Sequence, residues 1–161
     1  MYQSLMKYSS KYEILQKSRY KQHKHLKDGR MNIHSDYDDL QSHIRDLKTP
    51  TIETWENQYS DRDYTIEITN LEFTTVCPKT GLPDFATITI TYVPDKHCIE
   101  LKSLKEYFVS FRDIGIFHEH LVNKVLEDFV NACQPRTAEV VGDFNIRGGM
   151  KTIVRTSYLK E

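Results

Sequence analysis

From Phe85 to Val93 the chain reads FATITITYV, in which Ala86, Ile88, Ile90 and Tyr92 alternate with Thr87, Thr89 and Thr91. A period of two puts successive side chains on opposite faces, so this stretch is a strand with one apolar and one polar side. Such a strand needs pairing partners and a layer over its apolar face. Upstream, DYTIEITNLEF alternates Tyr64, Ile66 and Ile68 with Thr65, Glu67 and Thr69, which predicts a second half-buried strand. Downstream, Leu101, Leu104, Phe108 and Phe111 form one helical stripe. Leu121, Val122, Val125, Leu126, Phe129 and Cys133 form a longer one, stopped by Pro135. AEVVGDFNI then alternates again, with Val140, Phe144 and Ile146 on one side. Arg147-Gly148-Gly149 is a turn, and KTIVRTSYL is a last strand. The order strand, strand, helix, helix, strand, strand reads as α+β, a four-stranded antiparallel sheet with two helices on one face. Such a sheet leaves its other face and both edges open, which points to an oligomer. Ahead of it, PTIETWENQY carries Ile52, Trp55 and Tyr59 at helical spacing after Pro50, which predicts a short amphipathic helix.

The 161 residues suit one domain plus an extension. The domain is expected over 50–161, and residues 1–49 form a polar, basic extension without sustained periodicity. Up to Arg30 this extension holds Lys7, Lys11, Lys17, Arg19, Lys21, Lys24, Lys27 and Arg30 against Glu13 and Asp28. A loosely ordered tail or a nucleic-acid arm both fit that composition. A start at Met31 is a third reading, prompted by the change of character at DGRMN. A net charge of −1 implies no polyelectrolyte partner for the whole chain. No apolar run is long enough for a membrane span, and the first residues lack the marks of a signal peptide, so the cytoplasm is expected. Three cysteines with no CxxC pair argue against a disulfide framework or a zinc knuckle.

Cys77 has the unusual setting. It lies in EFTTVCPKTGLPDFATI, where Pro78, Gly81 and Pro83 restrict a loop between two strands. A thiol held there becomes a good nucleophile once its pKa falls, and Asp84 could exchange a proton with it. In the helix that opens FHEH, 100° per residue turns His118 and Glu119 toward the covered side and His120 toward water. The plain alternative is a satisfied histidine beside a first-turn acid. A zincin is excluded, because HExxH would need histidine where Val122 stands. Lys102 and Lys105, with Ser103 between them near a helix start and Arg112 beyond, make either a phosphate seat or a solvated face. Neither GxGxxG nor GxxxxGK[ST] occurs.

Taken together, EFTTVCPKTGLPDFA, ELKSLK at 100–105, SFRD, FHE at 117–119 and RGG at 147–149 resemble the short NADPH-dependent 7-cyano-7-deazaguanine (preQ0) reductases. The likeness runs from about Pro50 to Tyr158, with Glu106 a small departure. It implies a tunnelling fold, shared with GTP cyclohydrolase I, whose subunits join into stacked rings with active sites at their boundaries. It implies Cys77 as nucleophile forming a thioimide, Asp84 as proton donor and His118 in support. Glu119, with Glu100, Leu101, Lys102, Ser103 and His118, would bind preQ0, and Lys102, Ser103, Lys105 and Arg147 would hold NADPH. Two NADPH per nitrile, no metal and no direct tRNA binding follow from the same likeness. Two rivals stand beside it: a zinc-dependent cyclohydrolase of the same fold, and a non-catalytic RNA-binding ring.

Overall fold

The computed structural model describes residues 40–161, so the readings made on the first 39 residues, Met31 included, lie outside the described residues. The sheet is the predicted one. Strands β2 (Ile66–Val76), β3 (Pro83–Val93), β5 (Thr137–Phe144) and β6 (Ile153–Leu159) pair in that order, all antiparallel. Helix α1 (Leu101–Val109) runs on into a 3-10 turn, Ser110–Asp113, and α2 (His118–Cys133) follows. The inward row of β3, from Ala86 to Tyr92, meets Leu121, Val122, Val125 and Phe129 of α2 and Leu104, Phe108 and Phe111 of the α1 arm in one core. Burial of these apolar faces drives the layering.

PTIETWENQY is not a helix. Thr54–Glu56 forms a strand, β1, against β4 (His97–Ile99), with Trp55 opposite Cys98. Of the three residues whose spacing suggested a helix, only Ile52 is buried, while Trp55 is 53% and Tyr59 60% exposed. Thr51, Ile52, Thr54 and Trp55 stand together and favour an extended chain, and the segment takes a strand partner instead. Two stripe positions at element ends also differ from expectation. Leu101 and Ile146 are 61% and 67% exposed, and Ser103 and Tyr107 complete the buried side of α1. The stretch from Leu40 to Thr49, compositionally part of the extension, sends Ile44 into the core.

The sheet has one irregularity, and it matters. Asn70 pairs with Ile88 but Phe73 pairs with Ala86, so Leu71 and Glu72 form a β-bulge. Glu72 N–H donates to the Asn70 side chain at 2.9 Å there. Before the bulge Ile66 and Ile68 face the helices; after it Phe73 and Thr75 do. One extra residue reverses the phase of everything downstream, Cys77 included.

Candidate active site

Cys77 follows the last residue of β2, on the same side as Phe73 and Thr75 by strand alternation. Thr75 pairs across the hairpin with Asp84, which lies on the inward row of β3 and is only 3% exposed. The bulge therefore brings thiol and carboxylate to one face of one hairpin end. The connecting loop closes on itself through Cys77 N–H to Leu82 O at 2.9 Å and Gly81 N–H to Cys77 O at 2.8 Å. Gly81 adopts φ +71°, a left-handed conformation that costs other residues about 1–2 kcal/mol.

That loop tunes the sulfur. Burial pushes the half-buried Cys77 thiol up, and the charge of Asp84 acts the same way. Hydrogen bonds from the Thr80 hydroxyl and from the backbone of Thr80 and Lys79 outweigh both, leaving the thiol below its ordinary value. The other cysteines are of another kind. Cys98 and Cys133 are both 1% exposed, and burial, then the proximity of Cys98, pushes Cys133 up to about 12.

His118 arrives at this point because the chain before α2 is strapped to β2. Val76 N–H donates to Ile114 O and Ile116 N–H to Val76 O, each at 3.1 Å, and the Thr75 hydroxyl donates to Ile114 O at 2.7 Å. The first turn of α2 then lays the His118 ring flat on Phe144, with centroids 3.6 Å apart and planes 7° from parallel. His118 Nε2 reaches Asp84 Oδ2 at 3.4 Å. Glu119, next to it, is exposed, as is His120. The N-cap residue Phe117 has no side-chain cap of its own. Gln41 substitutes from far away in sequence: its Oε1 accepts from Phe117 N–H at 3.0 Å and approaches His120 Nδ1 at 3.1 Å. Periodicity carried no sign of this contact.

Arg147 makes the third approach to Asp84. The Arg147-Gly148-Gly149-Met150 turn has both central glycines at positive φ, as a tight hairpin requires. From it the Arg147 guanidinium pairs with Asp84 Oδ1 and donates to the Pro83 carbonyl. Asp84 is thus held between a guanidinium on one oxygen and an imidazole on the other.

The remaining candidates lie elsewhere. Glu100 and Leu101 border a cavity with Ile66, Ile68, Tyr92 and Trp55, at the opposite end of β3 from Asp84. Strand β3 spans its 11 residues between those ends, about 30 Å. One chain therefore does not bring Glu100, Leu101, Lys102 and Ser103 to Cys77. The α1 start is also already engaged. Glu100 accepts from Lys102 N–H at 2.8 Å and Ser103 N–H at 2.7 Å, so these two amides are not open to a phosphate. The Ser103 hydroxyl donates to Glu100 O and accepts from Glu53 N–H, both at 2.9 Å. The exposed side of α1 carries Lys102 and Lys105 beside Leu101, Glu106 and Val109, and Lys105 and Arg112 line one cleft beside the bulge with Glu72. The ammonium groups are open to solvent; the amides beneath them are not. Among the described residues, no three His, Cys, Asp or Glu side chains gather as a metal donor set. Nor, among them, is any helix long and apolar enough to cross a membrane.

Comparison with known proteins gives the family. The sequence model of a family described as QueF-like protein matches residues 83–161. The NADPH-dependent 7-cyano-7-deazaguanine reductase of Chlorobaculum tepidum is 62% identical over 109 residues, covering 68% of this chain and 93% of the relative. The enzyme of the same name from Chloroherpeton thalassium is 55% identical over 115 residues, 71% of this chain and 99% of the relative. Among solved structures, an archaeosine synthase QueF-Like in the apo form superposes with a TM-score of 0.55 at 22% identity, over 58% of this chain and 91% of that one. That likeness establishes the tunnelling fold. With identity this high over nearly the whole length of the relatives, the chain belongs to the NADPH-dependent 7-cyano-7-deazaguanine reductase family.

Proposed function

We propose that this protein reduces the nitrile of 7-cyano-7-deazaguanine to the primary amine with two NADPH, by way of a thioimide on Cys77. The observation that carries the reading is the Cys77, Asp84 and His118 cluster at the end of the β2–β3 hairpin, with the thiol lowered by its own loop. A nitrile is a weak electrophile, and covalent addition converts it into an imine-like carbon open to hydride. The Cys77 sulfur bonds to the nitrile carbon, and its proton passes through Asp84 to the nitrile nitrogen. NADPH, when bound, supplies the hydride that reduces this adduct and a second that reduces the imine left after the thiol departs. His118, fixed on Phe144, holds Asp84 and supports that proton transfer.

Glu119 is exposed in the first turn of α2, beside the cluster, and serves as acceptor for the donor edge of the base. Glu100, Leu101, Lys102 and Ser103 bind from the other side. No single bicyclic base spans the length of β3, so that side belongs to a second copy and the working enzyme is a homo-oligomer. The cationic surface of Lys102 and Lys105, with Arg147, takes the NADPH phosphates. A soluble, cytoplasmic enzyme without resident metal accords with this chemistry, which needs no Lewis acid.

The test is NADPH consumption with 7-cyano-7-deazaguanine, together with intact mass after mixing with the nitrile alone. The wild type should oxidise two NADPH per nitrile and gain the full mass of the substrate. Cys77→Ala should do neither, and turnover by that variant would remove the covalent route. Zinc-dependent activity, or RNA binding without NADPH oxidation, would favour a different reading.

A further inference from the structure

The first turn of α2 carries His118 and Glu119, and the two side chains are held differently. His118 has anchors of its own, in the Phe144 ring and Asp84. The Glu119 carboxylate is exposed and bonds to no side chain among the described residues, so only the backbone of that turn aims it. The turn starts without local help. In a capping box the third helical residue, a Glu or Gln, reaches back to accept from the N-cap N–H. Here that third residue is His120, and the N-cap is Phe117, whose side chain accepts nothing. Gln41 supplies the acceptor from 76 residues away. Its Oε1 takes the Phe117 N–H at 3.0 Å and lies 3.1 Å from His120 Nδ1. Its Nε2 donates to Leu40 O at 2.8 Å and to Gly115 O at 3.3 Å. Turning the amide over would set its donors against the Phe117 N–H, so one orientation satisfies all these partners.

Gln41 is itself anchored. Its carbonyl accepts from Ile44 N–H at 3.2 Å, and Ile44 is buried in the core. On the far side of the stretch 114–117, Gly115 bridges to Val76 and backs onto Pro78 of the Cys77 loop, where an added Cβ would come 3.4 Å from Pro78 Cα. The lead into α2 is thus clasped between the Cys77 loop and Gln41. We infer that Gln41 is a positioning residue for Glu119: by capping α2 from outside the helix, it fixes the direction in which Glu119 meets the base. The inference rests on the reading above in which Glu119 accepts from the donor edge of that base.

Gln41→Met keeps the length of the side chain and loses its acceptor; Glu119→Gln removes the carboxylate. NADPH oxidation by the full chain, with 7-cyano-7-deazaguanine as the varied substrate, is measured for the wild type, each single variant and the double variant, with enzyme in excess where turnover is slow and at a temperature where melts show every protein folded. Gln41→Met should lower kcat/KM for the nitrile about tenfold, within the range for residues that share one network, and leave KM for NADPH unchanged. In the Glu119→Gln background the same change should cost less than about twofold, because no carboxylate is left to aim. Gln41→Glu keeps the acceptor that a capping box also uses and should stay within about threefold of the wild type. A merely structural clasp would cost the same factor in both backgrounds, and that result overturns the inference. So does a wild-type kcat/KM in Gln41→Met, or a Gln41→Glu variant as slow as Gln41→Met. If Gln41→Met does not fold, Gln41→Asn, one methylene too short to reach Phe117 N–H, completes the same cycle under the same criteria. A wild type that oxidises no NADPH with the nitrile, or a Glu119→Gln variant as active as the wild type, would instead overturn the reading of the site, and this inference with it.

Discussion

Gly142 is where α2 rests on the sheet, and it is the position whose enlargement most directly tests how the fold holds the site. It pairs with Ile88 on one side and Val154 on the other. A Cβ added there falls 2.6 Å from Val122 Cγ2 and 2.9 Å from Phe144 Cε2. Both neighbours are fully packed, at 0% and 1% exposure. Carbon atoms sit comfortably at about 3.5–4.0 Å, so Gly142→Ala forces the helix or the Phe144 ring back by roughly 1 Å. Overpacking of this kind costs about 1–3 kcal/mol. At about 4 °C per kcal/mol for a domain of this size, Tm should drop by about 4–12 °C. The effect should also reach the chemistry. Phe144 is the surface against which His118 stacks, and a displacement of 1 Å in a reacting geometry costs up to about 100-fold. Adduct formation should therefore slow about tenfold or more at a temperature where the variant is fully folded. Val122→Ala removes the atom that clashes. Alone it destabilises by about 2 kcal/mol through the cavity it leaves. Combined with Gly142→Ala it should recover at least about 0.5–1 kcal/mol relative to the sum of the two single losses. Thermal melts of the four proteins measure this. Simple additivity would mean that the new Cβ does not meet Val122, and the account of the α2 seat would be wrong.

Two further outcomes follow from the titrating groups. Thr80→Val removes the hydroxyl that helps hold the Cys77 thiol below its ordinary value, so iodoacetamide labelling of Cys77 at pH 7 should slow and the gap should close as pH rises past the thiol range; equal rates at pH 7 would count against the loop as the tuning device. In the same digest Cys98 and Cys133 should stay unlabelled while the protein is folded, since both are buried. Glu100 is held below the usual carboxylate value by the Ser103 and Lys102 amides, which outweigh desolvation. Its folded value lies below its unfolded one, so its contribution is complete above the unfolded value and is lost as pH falls through the folded one. Glu100→Gln should therefore lower the urea midpoint at neutral pH and match the wild type under acid; a difference that persists unchanged at low pH would show that the cap is not ionic.

Long alternating or helical runs made the four-stranded sheet and both helices legible, because burial on one face imposes the period that the eye reads. The β1–β4 pair was not legible, since three-residue strands are too short to carry a period and Ile52, Trp55 and Tyr59 imitate a helix by accident of spacing. Contacts such as Arg147 on Asp84 and Gln41 on Phe117 join residues far apart in sequence, where no periodicity reaches. The bulge is the instructive case. Extending the alternation of Ile66 and Ile68 straight through β2 puts even-numbered residues inward, and Cys77 would then face away from Asp84. Leu71 and Glu72, both exposed in succession, break that rhythm, and the break is visible in NLEF once its meaning is known. The prolines and Gly81 hold the loop still, but they do not decide which face it presents. One extra residue six positions upstream does, by exchanging the two faces of the strand end, so that the thiol, the carboxylate and the first turn of α2 meet.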